Sequence, residues 1–94
     1  MAKAGRVACC VPFCRRTIAH AKLQAAHGLD GIEANEWICG NHWRNVSTLV
    51  RRLYSIRKRH YRELLSAERP AYVRHVNHIW SVCRKQAIER AAGI

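Results

Sequence analysis

Acidic residues are scarce in this chain of 94 residues, where six Asp and Glu stand against 17 Lys and Arg. The formal net charge of +11 is also uneven: residues 43–94 hold twelve basic and three acidic residues, whereas residues 1–42 hold five and three. A basic excess of this kind favours a polyanionic partner, most often nucleic acid, over a charged surface that serves only solubility.

Long apolar runs are missing as well. No stretch approaches the ~20 apolar residues of a membrane-spanning helix, so we expect no membrane partner. The N-terminal residues lack the apolar run of a signal peptide, and an odd count of five cysteines fits poorly with a secreted disulfide framework. These absences predict a reduced, cytoplasmic protein whose clustered thiols bind metal.

Motifs for catalysis are the third absence. The sequence contains no Ser/His/Asp set, no paired-carboxylate motif and no glycine-rich phosphate loop. We therefore expect neither an enzyme nor a small-molecule substrate.

The length predicts one domain over residues 1–94, with a loose basic tail at 1–8, a metal-binding segment at 9–42 and helices at 43–94. The stretch TIAHAKLQAAHG predicts a short helix with Thr17 as N-cap and Gly28 just past its end, although TIAHAKL is also compatible with a strand. Asp30-Gly31 predicts a turn, and EWIC at 36–39 predicts a short strand.

Apolar residues at steps of three and four predict one amphipathic helix over residues 43–66. Its apolar set is Trp43, Val46, Leu49, Val50, Leu53, Tyr54, Ile56, Tyr61, Leu64 and Leu65. Pro70 then starts a second helix that closes near Gly93. Its apolar set is Tyr72, Val73, Val76, Ile79, Trp80, Cys83 and Ala87. Because the connection is short, the two helices should form an antiparallel hairpin.

Two pairs of metal-ligating residues precede the helices. Cys39 and His42 form a C-x2-H pair, while Cys14 pairs either with Cys9 as C-x4-C or with Cys10 as C-x3-C. Four Cys and His ligands in two such pairs suit the tetrahedral preference of Zn²⁺. Local chemistry leaves the choice between Cys9 and Cys10 open. The fifth cysteine, Cys83, lies on the apolar stripe of the second helix, where a buried thiol is expected.

The remaining histidines have no ligand partner at a convincing spacing, and we expect them on the surface or packed. They are His20, His27, His60, His75 and His78.

The pattern C-x2-P-x-C-R-R … W-I-C-x2-H-W-R resembles a small zinc finger common in phage and prophage proteins. The resemblance covers residues 9–44, and the tail SVCRKQAIERAAGI is similar to the C-terminal end of small prophage proteins with the same finger. It implies a treble-clef-like fold around Zn²⁺ and the cytoplasm of a bacterial host cell. The implied ligands are Cys9, Cys14, Cys39 and His42. The chain departs from the pattern by Phe13, where such fingers commonly have glycine, and by the extra Cys10.

Nucleases of the His-Asn-His type interleave a catalytic motif with a zinc-binding frame of this kind. His27 and Asn35 could stand for the first two members of that motif, but Trp43 occupies the place of the final histidine. Nuclease activity is therefore the least favoured interpretation.

A basic stripe on the first long helix is the candidate nucleic-acid surface. Arg44, Arg51, Lys58 and Arg62 follow one another at steps of seven, seven and four, with Arg52 and Arg59 beside them. Such side chains would mainly hold phosphates. Arg57 and His60 fall on the apolar side of the predicted helix, where we expect Arg57 to extend its charge past the edge of the core.

Taken together, these patterns predict a mainly α protein: a small treble-clef-like zinc finger followed by an antiparallel helical hairpin. The expected function is zinc-stabilised nucleic-acid binding of a phage or prophage regulatory or processing type, with DNA ahead of RNA. The alternative is a phage-encoded factor that binds a host protein complex, such as a polymerase or a defence complex, and modifies or inhibits it.

Overall fold

The computed structural model describes residues 5–27 and 36–93, and for residues 24–27 it describes the backbone alone. The described chain is mainly helical, with one small antiparallel sheet. In chain order its elements are β1 Arg6–Ala8, β2 Thr17–Ala19, α1 His20–His27, α2 Gly40–Trp43, α3 Thr48–Glu63 and α4 Arg69–Ala91. The turn predicted at Asp30-Gly31 and the predicted helix-ending residue Gly28 lie outside the described residues.

Strands β1 and β2 pair antiparallel, with Val7 opposite Ile18. Thr17 is therefore a strand residue, and the prediction that it caps a helix is wrong. Its hydroxyl accepts a hydrogen bond from Arg6 Nε at 2.8 Å, and β-branched side chains such as Thr17 and Ile18 suit a pleated strand. The helix begins only at His20. The same pairing places residues 6–8, predicted to be a loose tail, in the sheet.

The predicted strand EWIC is reduced to a single bridge within the described chain. Trp37 pairs in parallel with Cys9, and its carbonyl oxygen accepts from the Cys10 N–H at 2.8 Å. The chain then turns at once into α2, because the Trp43 N–H donates to the Cys39 carbonyl at 2.8 Å.

The prediction of one continuous helix over residues 43–66 is also wrong. Ser47 separates α2 from α3: its hydroxyl accepts from the Val50 N–H at 3.2 Å, as an N-cap serine does. Its own N–H donates to Gln86 Oε1 at 2.9 Å. The break at Ser47 is thus held both by a local cap and by a contact from α4.

Helices α3 and α4 form the predicted antiparallel hairpin. Pro70 lies in the first turn of α4, where its missing N–H costs no helical hydrogen bond. Arg69 lies over the Tyr61 ring at 5.5 Å from its centroid, while the rings of Trp80 and Tyr54 are 5.5 Å apart. The start of α4 therefore contacts the end of α3, and the middle of α4 contacts an earlier residue of α3, so the two helices run antiparallel.

One core joins the hairpin to the N-terminal half. Helix α4 contributes the residues expected from its apolar stripe, including Cys83, which is fully buried. The buried residues of the cluster are Cys9, Val11, Ile38, Cys39, Val46, Tyr54, Tyr61, Val76, Ile79, Trp80, Cys83 and Ala87.

The apolar residues of α3 do not share one buried face, contrary to prediction. Tyr54 and Tyr61 point into the core, whereas Leu49, Leu53 and Ile56 are 77%, 38% and 52% exposed. The two sets lie on different sides of the helix, and the side of Leu49, Leu53 and Ile56 is left uncovered. The spacing of three and four residues between apolar positions predicts a single apolar face where the helix has two.

Over the described ranges, no helix is both long enough and apolar enough to cross a bilayer.

Candidate metal centre

Four side chains converge where the N-terminal half meets α2. The ligand atoms of Cys9, Cys14, Cys39 and His42 all lie within 4.8 Å of one another. The Cys9–Cys14 loop follows β1, and Cys39 and His42 flank the start of α2. The structure therefore brings together all four residues implied by the resemblance.

Two of the separations match those around a tetrahedral ion, and a third is shorter. Bonds of about 2.3 Å to sulfur and 2.0 Å to nitrogen place the donor atoms of a tetrahedron about 3.5–3.8 Å apart. The Sγ atoms of Cys14 and Cys39 are 3.8 Å apart, and Cys9 Sγ is 3.7 Å from His42 Nδ1. Cys39 Sγ lies 3.2 Å from the same nitrogen. The set can hold a metal ion, and all five cysteines are free thiols rather than disulfides.

Cys9 joins the cluster, and Cys10 does not. The bridge to Trp37 fixes the backbone at both residues, so that successive side chains point to opposite sides. The Cys10 thiol instead lies partly buried against the core, near Glu36 and Arg84. Burial, followed by the charges of Cys9 and Glu36, raises the pKa of Cys10 to about 11.

The local field differs between the two buried cysteines of the cluster. Burial raises the pKa of Cys9, against the opposing effect of the Cys39 N–H, which lies 3.3 Å from its sulfur. Burial also acts to raise the pKa of Cys39, but the backbone N–H groups around His42 and its thiol neighbours outweigh it and lower that pKa. N–H groups aimed at sulfur favour the thiolate, which is the form that ligates metal.

The loop between Cys9 and Cys14 contains a residue in the left-handed backbone conformation. Phe13 has a φ of 70°, and the Cys14 N–H donates to the Val11 carbonyl at 3.1 Å. A side chain in this conformation costs roughly 1–2 kcal/mol relative to glycine. The phenyl ring is fully exposed, so packing gives no compensation. Glycine at this position would adopt the same φ without that steric cost.

A polar network absent from the sequence predictions ties the metal cluster to α4. Trp80 donates its indole N–H to Glu36 Oε1 at 2.6 Å, and Arg84 pairs with the other oxygen of the same carboxylate. Glu36 stands three residues before Cys39, so the network fixes the approach to the ligand pair. The one sequence signal that could have identified Glu36 is its place beside the apolar residues of the EWIC segment.

Two of the residues predicted to bind nucleic acid make contacts within the protein. Lys58 is 7% exposed, and its ammonium lies 5.4 Å from the centroid of the Tyr54 ring. Arg51 is half-buried and donates to the Val46 carbonyl and the Thr48 hydroxyl. The expected stripe on one open side of the helix is therefore not what the structure shows at these two positions.

The other four predicted residues are exposed, namely Arg44, Arg52, Arg59 and Arg62. Arg57 is exposed as well, in agreement with the expectation that its charge reaches solvent.

Histidines outside the cluster lie where expected. His60, His75 and His78 are exposed and His20 is half-buried, and none of the four belongs to the group of ligand atoms. His60 packs edge-on against Tyr72, with the ring centroids 5.0 Å apart. The His27 side chain and Asn35, weighed as members of a nuclease motif, lie outside what the structure describes.

No family model, curated protein or solved structure matches this chain. Arguments about its function therefore depend on its own residues.

Proposed function

We propose that the metal is Zn²⁺ and that the segment from β1 to α2 is a treble-clef-like finger. Three thiolates and one imidazole at tetrahedral spacing suit Zn²⁺ better than hard cations, which take oxygen ligands. A β-hairpin beside the first ligand pair and a helix starting at the second support the treble-clef comparison. In this chain the helix is short, with only four residues.

The role proposed for the ion is structural. Four protein ligands complete a tetrahedron and leave no position for a reactive water. The ion would join the Cys9–Cys14 loop to the start of α2. No catalytic activity is proposed. Trp43, where an interleaved nuclease would need a histidine, packs against Tyr54 and Trp80 at centroid distances of 6.0 and 6.3 Å.

The proposed function of the domain is binding of nucleic acid, in a phage or prophage regulatory or processing protein. The observation that carries it is the row of exposed arginines Arg52, Arg59 and Arg62 on α3, in a chain of formal net charge +11. Arg44 extends the positive surface beside α2. Guanidinium groups bind phosphate oxygens with paired N–H donors, so a row of them suits a polyphosphate backbone.

The test compares the salt dependence of binding to duplex DNA, single-stranded DNA and RNA. In the Arg44→Gln/Arg52→Gln variant, two phosphate contacts should be lost. The slope of log affinity against log salt should then fall by about 1.8 on duplex DNA, or about 0.9 per contact. The matched control is Arg74→Gln/Lys85→Gln, which removes two exposed charges from α4.

Equal effects of the two variants would mean that diffuse charge, rather than the surface that carries Arg44 and Arg52, drives association. Failure of the wild-type protein to bind any nucleic acid at low salt would refute the proposed function.

A second candidate is a factor that binds a host protein complex. It is favoured by the exposed apolar row of Leu49, Leu53 and Ile56, which α4 leaves uncovered. An interface built on these side chains would weaken little with salt, whereas phosphate binding weakens steeply. Capture of a host complex that survives nuclease treatment and is lost on Leu49→Ser would favour this candidate.

A further inference from the structure

A cleft of about 520 Å³ opens between the metal cluster and helices α3 and α4. Its size falls within the ~300–1,000 Å³ typical of ligand sites. All three tryptophans of the chain line it, together with Tyr54. The remaining lining residues are Ile38, Gly40, Ser55, Lys58, Arg59 and Arg62.

The aromatic side of the cleft is an ordered stack. The rings of Trp43 and Trp80 lie 6.3 Å apart at an interplanar angle of 28°, and Tyr54 closes the group at 5.5 Å from Trp80. Trp80 is held from behind by Glu36, so its ring cannot turn freely. Trp37 and Trp43 are half-buried and therefore keep indole surface facing the cleft.

The cleft is also lined by cations from α3. Lys58, Arg59 and Arg62 project from neighbouring turns of α3, and none of the described residues that line the cleft is acidic. Lys58 lies almost buried beside Tyr54, so its charge sits at the boundary between the aromatic and basic sides. A ligand that satisfies both sides needs a planar aromatic part joined to an anion.

We propose that this cleft binds one unpaired nucleotide of a single-stranded nucleic acid. The base stacks on the indole surface of Trp37 or Trp43, and the adjoining phosphate is held by Arg59 and its neighbouring cations. Bases in single strands stack on aromatic side chains in this way, while basic residues follow the backbone. The inference rests on the proposed function and adds the form of nucleic acid and the place where it binds.

The lining distinguishes this occupant from two others. A base within a duplex is already stacked on both faces and would have to unpair and leave the helix to enter. An acidic peptide would use the cations but would leave the aromatic wall without a planar partner. The unpaired nucleotide uses both sides of the cleft.

Intrinsic fluorescence offers a direct measurement, because each tryptophan lines the cleft. A short oligothymidylate should quench the metal-loaded protein and bind more tightly than the same strand annealed to its complement. Oligouridylate separates RNA from DNA as the source of the strand. On irradiation, a strand substituted with 5-iodouracil should crosslink to Trp37 or Trp43.

Trp37→Leu should weaken binding of the single strand about fivefold to a hundredfold, since stacking on an aromatic side chain contributes ~1–3 kcal/mol per base. Arg59→Gln should lower the salt slope by about 0.7 for the lost contact on a single strand. Arg74→Gln, an exposed charge on α4 outside the cleft, is the matched control. Helical circular dichroism and metal content show whether each variant is folded, and crosslinking of the wild-type protein does not depend on the variants.

Three results would overturn the inference while leaving nucleic-acid binding intact. They are wild-type affinity of the folded Trp37→Leu and Trp43→Leu variants alike, crosslinks outside the cleft, and equal affinity for single strand and duplex without quenching. Polyglutamate that quenches the tryptophans and displaces the strand would assign the cleft to an acidic peptide. Absence of binding to every nucleic acid at low salt would remove both the inference and the proposed function.

Discussion

The segment from Arg6 to Trp43 and the hairpin of α3 and α4 are stabilised in different ways. The hairpin has sixteen- and twenty-three-residue helices that bury aromatic and aliphatic side chains against each other. The N-terminal segment has two strands of three residues each, and two of its buried residues, Cys9 and Cys39, belong to the metal cluster. Apolar burial accounts for the first region, whereas we expect the second to depend on metal ligation in addition to its buried apolar residues.

The two regions are nevertheless joined. Trp80 and Arg84 of α4 hold Glu36, and Gln86 accepts from Ser47 at the start of α3. A small domain of this length buries a limited fraction of its surface, so a metal ion at the junction can supply what the core lacks. Changes to the metal cluster should therefore have larger effects than changes to any single contact of the hairpin.

The largest effect is expected from metal removal. Structural Zn²⁺ contributes ~10–16 kcal/mol of apparent binding free energy, which is comparable with the entire stability of a domain. Treatment with a strong zinc chelator should abolish amide-exchange protection across residues 5–27 and 36–43, with a smaller loss in α4. Elemental analysis of the reduced, native protein should give one zinc per chain. Retained protection around Cys39 after chelation would contradict the division between the regions.

Substitution of the two neighbouring cysteines, one at a time, should show which of them binds the metal. Cys9→Ser should lose the metal and destabilise the N-terminal segment, because Cys9 lies in the ligand cluster. Cys10→Ser should keep one metal per chain, because its thiol packs against the core. Metal content and a metal-dependent melting transition measure both. The reverse result would move the site to C-x3-C spacing.

Trp80→Phe tests the connection between the regions. It removes the hydrogen bond to the Glu36 carboxylate, and a bond to a charged group contributes ~1.5–3 kcal/mol. We expect a loss of about 2 kcal/mol in the free energy of unfolding of the metal-loaded protein. Arg84→Gln is the comparison, since its ion pair with Glu36 is more than one-third exposed and should contribute under ~1 kcal/mol. A larger loss for Arg84→Gln than for Trp80→Phe would reverse the assigned order.

The smallest of these effects concerns the start of α3. Ser47→Ala removes the cap on the Val50 N–H and should lower stability by about 1 kcal/mol. Ser47→Asp should restore most of it, since aspartate caps equally well. Denaturant unfolding measures both variants, and their metal content should remain that of the wild type. Loss of metal in Ser47→Ala would show that the cap supports the cluster as well as the helix.

Residues close in sequence were predicted best. The Cys39–His42 pair, the proline at the start of α4 and the buried stripe of α4 around Cys83 each depend on spacing within a few turns. The predictions that were wrong concern residues whose secondary structure is set by contacts with a distant segment of the chain. Thr17 became a strand residue because β1 pairs with it, and the helix break at Ser47 is held partly from α4.

The sequence by itself determined a basic, mainly helical chain with a set of metal ligands and two helices around Pro70, because charge, ligand spacing and helical periodicity are local properties. Ligand spacing left Cys9 and Cys10 open, although the resemblance implied Cys9, and the tertiary structure placed Cys9 in the cluster, with its bridge to Trp37. It also divided α3 into buried, basic and exposed apolar sides. The physical reason is that periodicity shows which residues share a side of a helix, while only a packed neighbour decides which side loses contact with water.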